Sequence, residues 1–165
     1  MTWASKHGST ADIAYAVGGV LREHGAHVEL CPIEDANTRM DGIFDAYVIG
    51  SAVYAGHWMK QAKEFVHQHR AKLMPAPVWL FSSGPLGHPP QPADATIDVA
   101  DLFANTAPHE HKIFGGKLDK TQLSLPEKAI AAALHAPYGD FRDWDDIRGW
   151  AESIANVLQP KEIHA

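Results

Sequence analysis

The residues from Ala4 to Thr10, A-S-K-H-G-S-T, set the hydroxyls of Ser5, Ser9 and Thr10 around Gly8, with Lys6 and His7 beside them. Directly after them, Ile13, Ala14, Val17, Val20 and Leu21 recur at helical spacing. A strand that ends in such a turn and feeds straight into a helix presents free backbone N–H groups and the positive end of a helix dipole, both suited to a phosphate. The hydroxyls add donors, Gly8 lets the backbone approach closely, and Lys6 or His7 supplies charge at the rim. A plainer alternative is that Ser9 or Thr10 is only an N-cap. The stretch is neither G-x-x-x-x-G-K-[ST] nor G-x-G-x-x-G, so a hydroxyl-lined phosphomonoester site is what its chemistry leaves.

Two later stretches share this character. Ser51, Ala52, Val53, Tyr54, Ala55, Gly56, His57 and Trp58 follow the apolar Y-V-I-G, and Ser82, Ser83, Gly84, Pro85, Leu86 and Gly87 follow W-L-F. Flat faces of Tyr54 and Trp58, with backbone donors and acceptors in glycine-rich turns, suit a planar heterocycle with polar edges. Equally, Tyr54 is a rim aromatic and Trp58 the hydrophobic staple of the next helix. His67 with His69, and His109 with His111, alternate in a way that pairs imidazoles on a strand but not on a helix, and a solvated surface is the expected reading for both. There is no G-x-S-x-G elbow for a hydrolase serine.

These stretches need strands and helices to hold them, and the chain alternates both from end to end. Strands are expected at His27–Ile33, an edge strand because of Pro32, at Asp45–Gly50 and Val78–Ser82, and more weakly at His111–Phe114. Helices are expected at Thr10–His24, Met59–Leu73, Asp94–Asn105 and Asp145–Leu158, with an alanine-rich helix at Ala129–Leu134. The pattern predicts a doubly wound α/β fold with ligands beyond the carboxyl ends of the strands. A chain of 165 residues, 45% hydrophobic and 21% charged, is long enough for one ordinary domain with a real core. A formal charge of −6 argues against nucleic acid as a partner. The single Cys31 excludes an internal disulfide, and with neither a membrane span nor a leader pattern the expected location is cytoplasmic.

Together S-K-H-G-S-T-A-D-I-A, V-I-G-S-A-V-Y-A-G-H-W, F-S-S-G-P-L-G, F-G-G-K-L-D and D-F-R-D-W-D resemble the flavodoxin-domain family, closest to its menaquinone-dependent protoporphyrinogen oxidase branch. The resemblance implies a flavodoxin-like three-layer sandwich, 1–165 as a single domain, with a five-stranded parallel sheet in the order 2-1-3-4-5 and FMN as cofactor. It assigns Ser5 to Thr10 to the FMN phosphate, and Ser51 to Trp58 with Ser82 to Gly87 to the isoalloxazine ring. It implies an electron-transfer protein or an FMN-dependent oxidoreductase, with a redox protein or a quinone- or porphyrin-like small molecule as partner. The region Leu118 to Asp143 corresponds to an insert after the fifth strand that contacts membrane or substrate; its apolar and basic residues are too few for a stable amphipathic anchor, so peripheral contact with the inner membrane face has little support. Only Met1, Thr2, Trp3 and Ala4 precede the first loop, which predicts a shortened first strand and Met1 as a downstream start in a longer reading frame. The competing readings are a flavin-free phosphate-ester binder or hydrolase, and an interaction module on the same fold.

Overall fold

The computed structural model describes residues 1–39, 42, 44–84, 86, 97–133 and 135–159. Along the chain run β1 (Thr2–Ala4), α1 (Ser9–Glu23), β2 (Cys31–Pro32), α2 (Ile33–Arg39), β3 (Tyr47–Tyr54), β4 (His57–Trp58), α3 (Lys60–Gln68) and α4 (Arg70–Leu73). They are followed by β5 (Val78–Ser83), α5 (Ala100–Thr106), β6 (Glu110–Phe114), β7 (Lys117–Leu118), α6 (Leu125–Ala133), β8 (Gly139–Asp140) and α7 (Trp144–Leu158).

The sheet runs β2-β1-β3-β5-β6, all parallel, with β4 folded back antiparallel on β3. Counting only parallel strands, this is the expected 2-1-3-4-5 order. The short hairpin arm β4 and a separate two-stranded β7-β8 ribbon are additions to it. β1 is only 3 residues long, yet it is paired on both sides: Thr2 opposes Cys31 and Ile49, and Trp3 opposes Pro32 and Gly50.

Alternation along the strands builds two cores from one sheet. Trp3, Val48, Trp79 and Phe81 point to one side, against Ile13 and Val17 of α1 and Ile147, Trp150 and Ile154 of α7. Ala4, Ile49, Val78 and Leu80 point to the other, against Ile33, Phe65, Val66 and Leu102. The aromatic centre is Phe81, Phe114 and Trp150, with ring centroids 5.4 to 6.1 Å apart in tilted and edge-on contacts. Burying each such ring stabilises the fold by about 1.5–3 kcal/mol. Phe81 lies across the position of a side chain on β3: a Cβ at Gly50 would stand 2.0 Å from its ring. The last helix is capped as its D-W-D-D start predicts, with the Asp143 carboxylate accepting from the N–H groups of Asp145 and Asp146, both at 3.0 Å.

Four expectations need correction. The strand expected over residues 27–33 pairs only at Cys31–Pro32, because its neighbour β1 is so short and Pro32 has no N–H to give. Ile33 then opens α2, with Glu34 and Asp35 in its first turn. The helix expected over 59–73 divides at His69 into α3 and α4. The helix expected to run from Asp94 begins at Ala100; residues 94–96 lie outside the described residues, and 97–99 are not helical, with Asp98 bridged to His57. The alanine-rich helix begins earlier than expected, at Leu125.

Candidate functional site

The loop between β1 and α1 is shaped by its own residues. Gly8 takes φ 83°, a left-handed conformation that glycine adopts without strain, and donates its N–H to Ser5 Oγ at 3.1 Å. Its carbonyl accepts from Asp12 N at 2.9 Å, which starts the helical ladder. No side chain caps α1. The first-turn N–H groups therefore keep their donor capacity, and Asp12 is the acidic residue nearest them in sequence. Thr10 is 1% exposed, and its Oγ1 is buried with no hydrogen-bond partner among the described residues.

The end of β3 and the start of β4 form a two-residue hairpin, with Tyr54 opposite His57. Ala55 and Gly56 both take positive φ, 49° and 78°, as a tight turn with right-handed strand twist requires. The turn is pinned from outside, since Gly56 O accepts from Asp98 N at 2.9 Å. Tyr54 is 47% exposed at this edge, and partial burial raises its phenol pKa, moderated by Lys6 close by. The end of β5 meets the first loop through Ser9 Oγ and Ser83 Oγ, 3.4 Å apart, and Gly84 N donates to Phe114 O at 3.2 Å.

Not every predicted site residue faces outward. Trp58, expected to offer a flat face, is 2% exposed, and its indole N–H donates to Ser82 Oγ at 2.7 Å. Ser82 in turn contacts His111 Nε2 at 2.8 Å. Ser51 is also buried, donating to Ala52 O and accepting from Met59 N. These side chains support the loops from beneath, because their polar atoms are already paired inside the core. Tyr54, Ala55 and His57 are exposed, and Ala52, Val53, Gly56, Gly84 and Leu86 are half-buried. Ser83 is buried at the end of its strand, and Pro85 and Gly87 lie outside the described residues.

One participant was missed by sequence reasoning. Glu127 of α6 places Oε1 2.7 Å from Lys6 Nζ and 2.9 Å from His7 Nε2, while Oε2 accepts from the N–H and the hydroxyl of Ser124. The Lys6 contact, then Ser124 and His7, hold this carboxyl well below the usual range, and the same contact raises the Lys6 pKa. The available signal was S-L-P-E at Ser124–Glu127, a capping box that marks the helix start. Between β8 and α7, Arg142 bonds Asp140 at 2.6 and 2.8 Å and Asp12 at 2.9 Å, and its guanidinium lies 4.5 Å from the Trp144 ring centroid.

Among the described residues, no helix is long and apolar enough to cross a membrane, and no group of three or more His, Cys, Asp or Glu is placed to hold a metal ion. No curated protein matches the chain by sequence. Its fold is similar to oxidised flavodoxin 1 from Bacillus cereus, at 16% identity and TM-score 0.65, over 96% of this chain and 97% of that one. It is also similar to a flavodoxin from the domain Archaea, at 12% identity and TM-score 0.62, over 94% of each chain. Rubredoxin oxygen:oxidoreductase from the anaerobe Desulfovibrio gigas matches at 12% identity and TM-score 0.59, over 95% of this chain, which spans 35% of that larger one. At these identities the likeness is one of fold. The sequence profile of the flavodoxin domain matches residues 1–144. With the 2-1-3-4-5 parallel order and the loops gathered at its carboxyl edge, the chain belongs to the flavodoxin-domain family.

Proposed function

We propose that the chain binds FMN at the carboxyl edge of its sheet and works in electron transfer, either as a carrier or as an FMN-dependent oxidoreductase of the protoporphyrinogen-oxidase type. The observation that carries the reading is Thr10. Its hydroxyl is buried without a partner at the first turn of α1, a helix whose N–H groups no side chain caps. An unpaired buried hydroxyl is costly unless a ligand completes it, and a phosphate beside uncapped N–H groups can do so. The residues therefore fit the phosphate end of FMN. Ser5 is already engaged with Gly8 and shapes the loop, Ser9 ties it to Ser83, and the Lys6 ammonium and the His7 imidazole line the rim.

The ring end is assigned to the Tyr54–His57 hairpin and to the segment from Ser83 through Leu86, held from below by Trp58, Ser82 and Ser51. Bound there, FMN would supply the redox chemistry, while this chain positions it and limits access of water. The proposed partner is a redox protein or a quinone- or porphyrin-like small molecule. The proposed location is the cytoplasm, or the inner face of its membrane, consistent with a lone buried Cys31.

Titration with FMN and with riboflavin, followed by flavin fluorescence, tests the reading. FMN should bind more tightly by at least about tenfold, since charge-assisted hydrogen bonds to phosphate are the stronger class. Equal affinities, or no binding of either, would overturn it.

A further inference from the structure

The insert is fixed at its root and held differently at its tip. Arg142, its side chain 5% exposed, joins β8 to α1 through Asp140 and Asp12, and Phe141 N donates to Gly116 O at 2.9 Å. At the tip, α6 buries only Ala131 and leaves Leu125 and Ile130 exposed. Its polar hold on the body runs through Glu127, whose carboxylate reaches back 120 residues to His7 and takes Lys6 as well. A single oxygen, Oε1, accepts from both Lys6 Nζ and His7 Nε2 of the first loop.

Resting on the reading of that loop as a phosphate site, we infer that Glu127 is an intramolecular occupant of its Lys6–His7 rim, which a ligand phosphate displaces, so that phosphate binding and release of α6 are one event. The charges decide the direction. A phosphate monoester carries about −1.5 to −2 at neutral pH. Seated on the α1 N–H groups and Thr10, it would share Lys6 and His7 with a carboxylate that stays ionised. Two anions sharing the Lys6 ammonium and the His7 ring N–H repel, and the dianion has the α1 dipole and the backbone donors in its favour as well. The carboxylate is the one with an alternative, because Ser124 continues to satisfy Oε2 and solvent can take Oε1. By linkage, whatever moves α6 outward also tightens the hold on a phosphate-bearing ligand, and leaves a ligand without phosphate unaffected. Glu127 thus sets both the selectivity of the loop and its coupling to the insert.

The test uses the full chain and its Glu127→Gln variant, titrated with FMN and riboflavin. Glutamine still serves at the third position of a capping box, so the substitution removes the charge and keeps the helix start. We expect the variant to bind FMN about tenfold more tightly, within the usual range of coupling between sites, with riboflavin affinity unchanged. Hydrogen exchange on the wild-type chain needs no variant: FMN should speed exchange of the α6 amides, and riboflavin should not. Weaker or unchanged FMN binding by Glu127→Gln, or α6 exchange that FMN slows or leaves alone, overturns the inference. If wild type fails to discriminate FMN from riboflavin, the reading of the loop itself falls. If wild type discriminates and the variant does so no better, only the displacement falls.

Discussion

Thr10 and His111 carry the two predictions that belong to single side chains. Thr10 is close in shape to valine, and its buried hydroxyl makes no bond within the described chain. Thr10→Val should leave the ligand-free unfolding midpoint unchanged or higher, since an unsatisfied buried hydroxyl costs about 1–3 kcal/mol. The same variant should lose about 1–3 kcal/mol of FMN affinity, the worth of a hydrogen bond to a charged group, with riboflavin unaffected. A marked drop in the midpoint without ligand would instead make Thr10 structural. At His111, Nε2 lies 2.8 Å from Ser82 Oγ, which also accepts the Trp58 indole N–H at 2.7 Å. Burial pushes the His111 pKa down, and burial followed by Lys72 does the same at His69. Both imidazoles take a proton more readily in the unfolded chain. Stability should therefore rise with pH from their lowered folded values up to about 6.5 and level off above it. Urea unfolding between pH 5 and 7.5 should show a shallower dependence for His111→Gln than for wild type, and equal slopes would contradict this.

At the scale of elements, two glycines predict opposite outcomes. On β3, a methyl group at Gly50 would collide with the Phe81 ring, so Gly50→Ala should destabilise by about 1–3 kcal/mol, the cost of overpacking a close-packed core. On α1, a Cβ at Gly19 would meet nothing within 4 Å, so Gly19→Ala should stabilise by about 0.5–1 kcal/mol through helix propensity alone. Chemical denaturation of both variants checks the pair. This contrast also shows where the sequence was legible. The apolar runs at β3 and β5, the helical spacing of α1 and the acidic start of α7 depend on local pattern, and each was readable to within a few residues. β2 was not, because its length is set by how many residues β1 offers to pair with. The direction in which Trp58 points was equally hidden, since a hairpin of Tyr54 to His57 turns it onto Ser82, a partner 24 residues away. Glu127 is hidden behind the alanines that mark the helix, and its pairing with Ser124 at the helix start is the local signal for it. Local periodicity located the loops, while long-range pairing decided which of their side chains face outward.

For the molecule as a whole, Arg142 holds the segment 117–140, with its β7-β8 ribbon and α6, to the helix α1. Arg142→Ala removes hydrogen bonds to Asp140 and Asp12 and the packing on Trp144. Both carboxylates keep access to solvent, so the loss should be about 1–3 kcal/mol and not the larger penalty of a stranded buried charge. Limited proteolysis should then cut between residues 118 and 143 before the sheet is attacked; unchanged resistance there would show that other contacts hold the ribbon. The carboxyls of Glu127 and Asp140 are both depressed, chiefly by Lys6 and by Arg142 respectively. A depressed carboxyl contributes stability above its unfolded value of about 4 and loses it as pH falls through the lower folded one, so mild acid should leave these contacts intact. They join the two ends of the chain, since Glu127 reaches His7 across 120 residues and Arg142 reaches Asp12 across 130. During synthesis the first loop leaves the ribosome early, but its electrostatic partners arrive only after most of the sheet has been made. A nascent chain stalled after β6 would hold β1, β3, β5 and β6 together with a first loop still lacking its carboxylate, and so would expose its strongest anion attraction before the finished protein can moderate it.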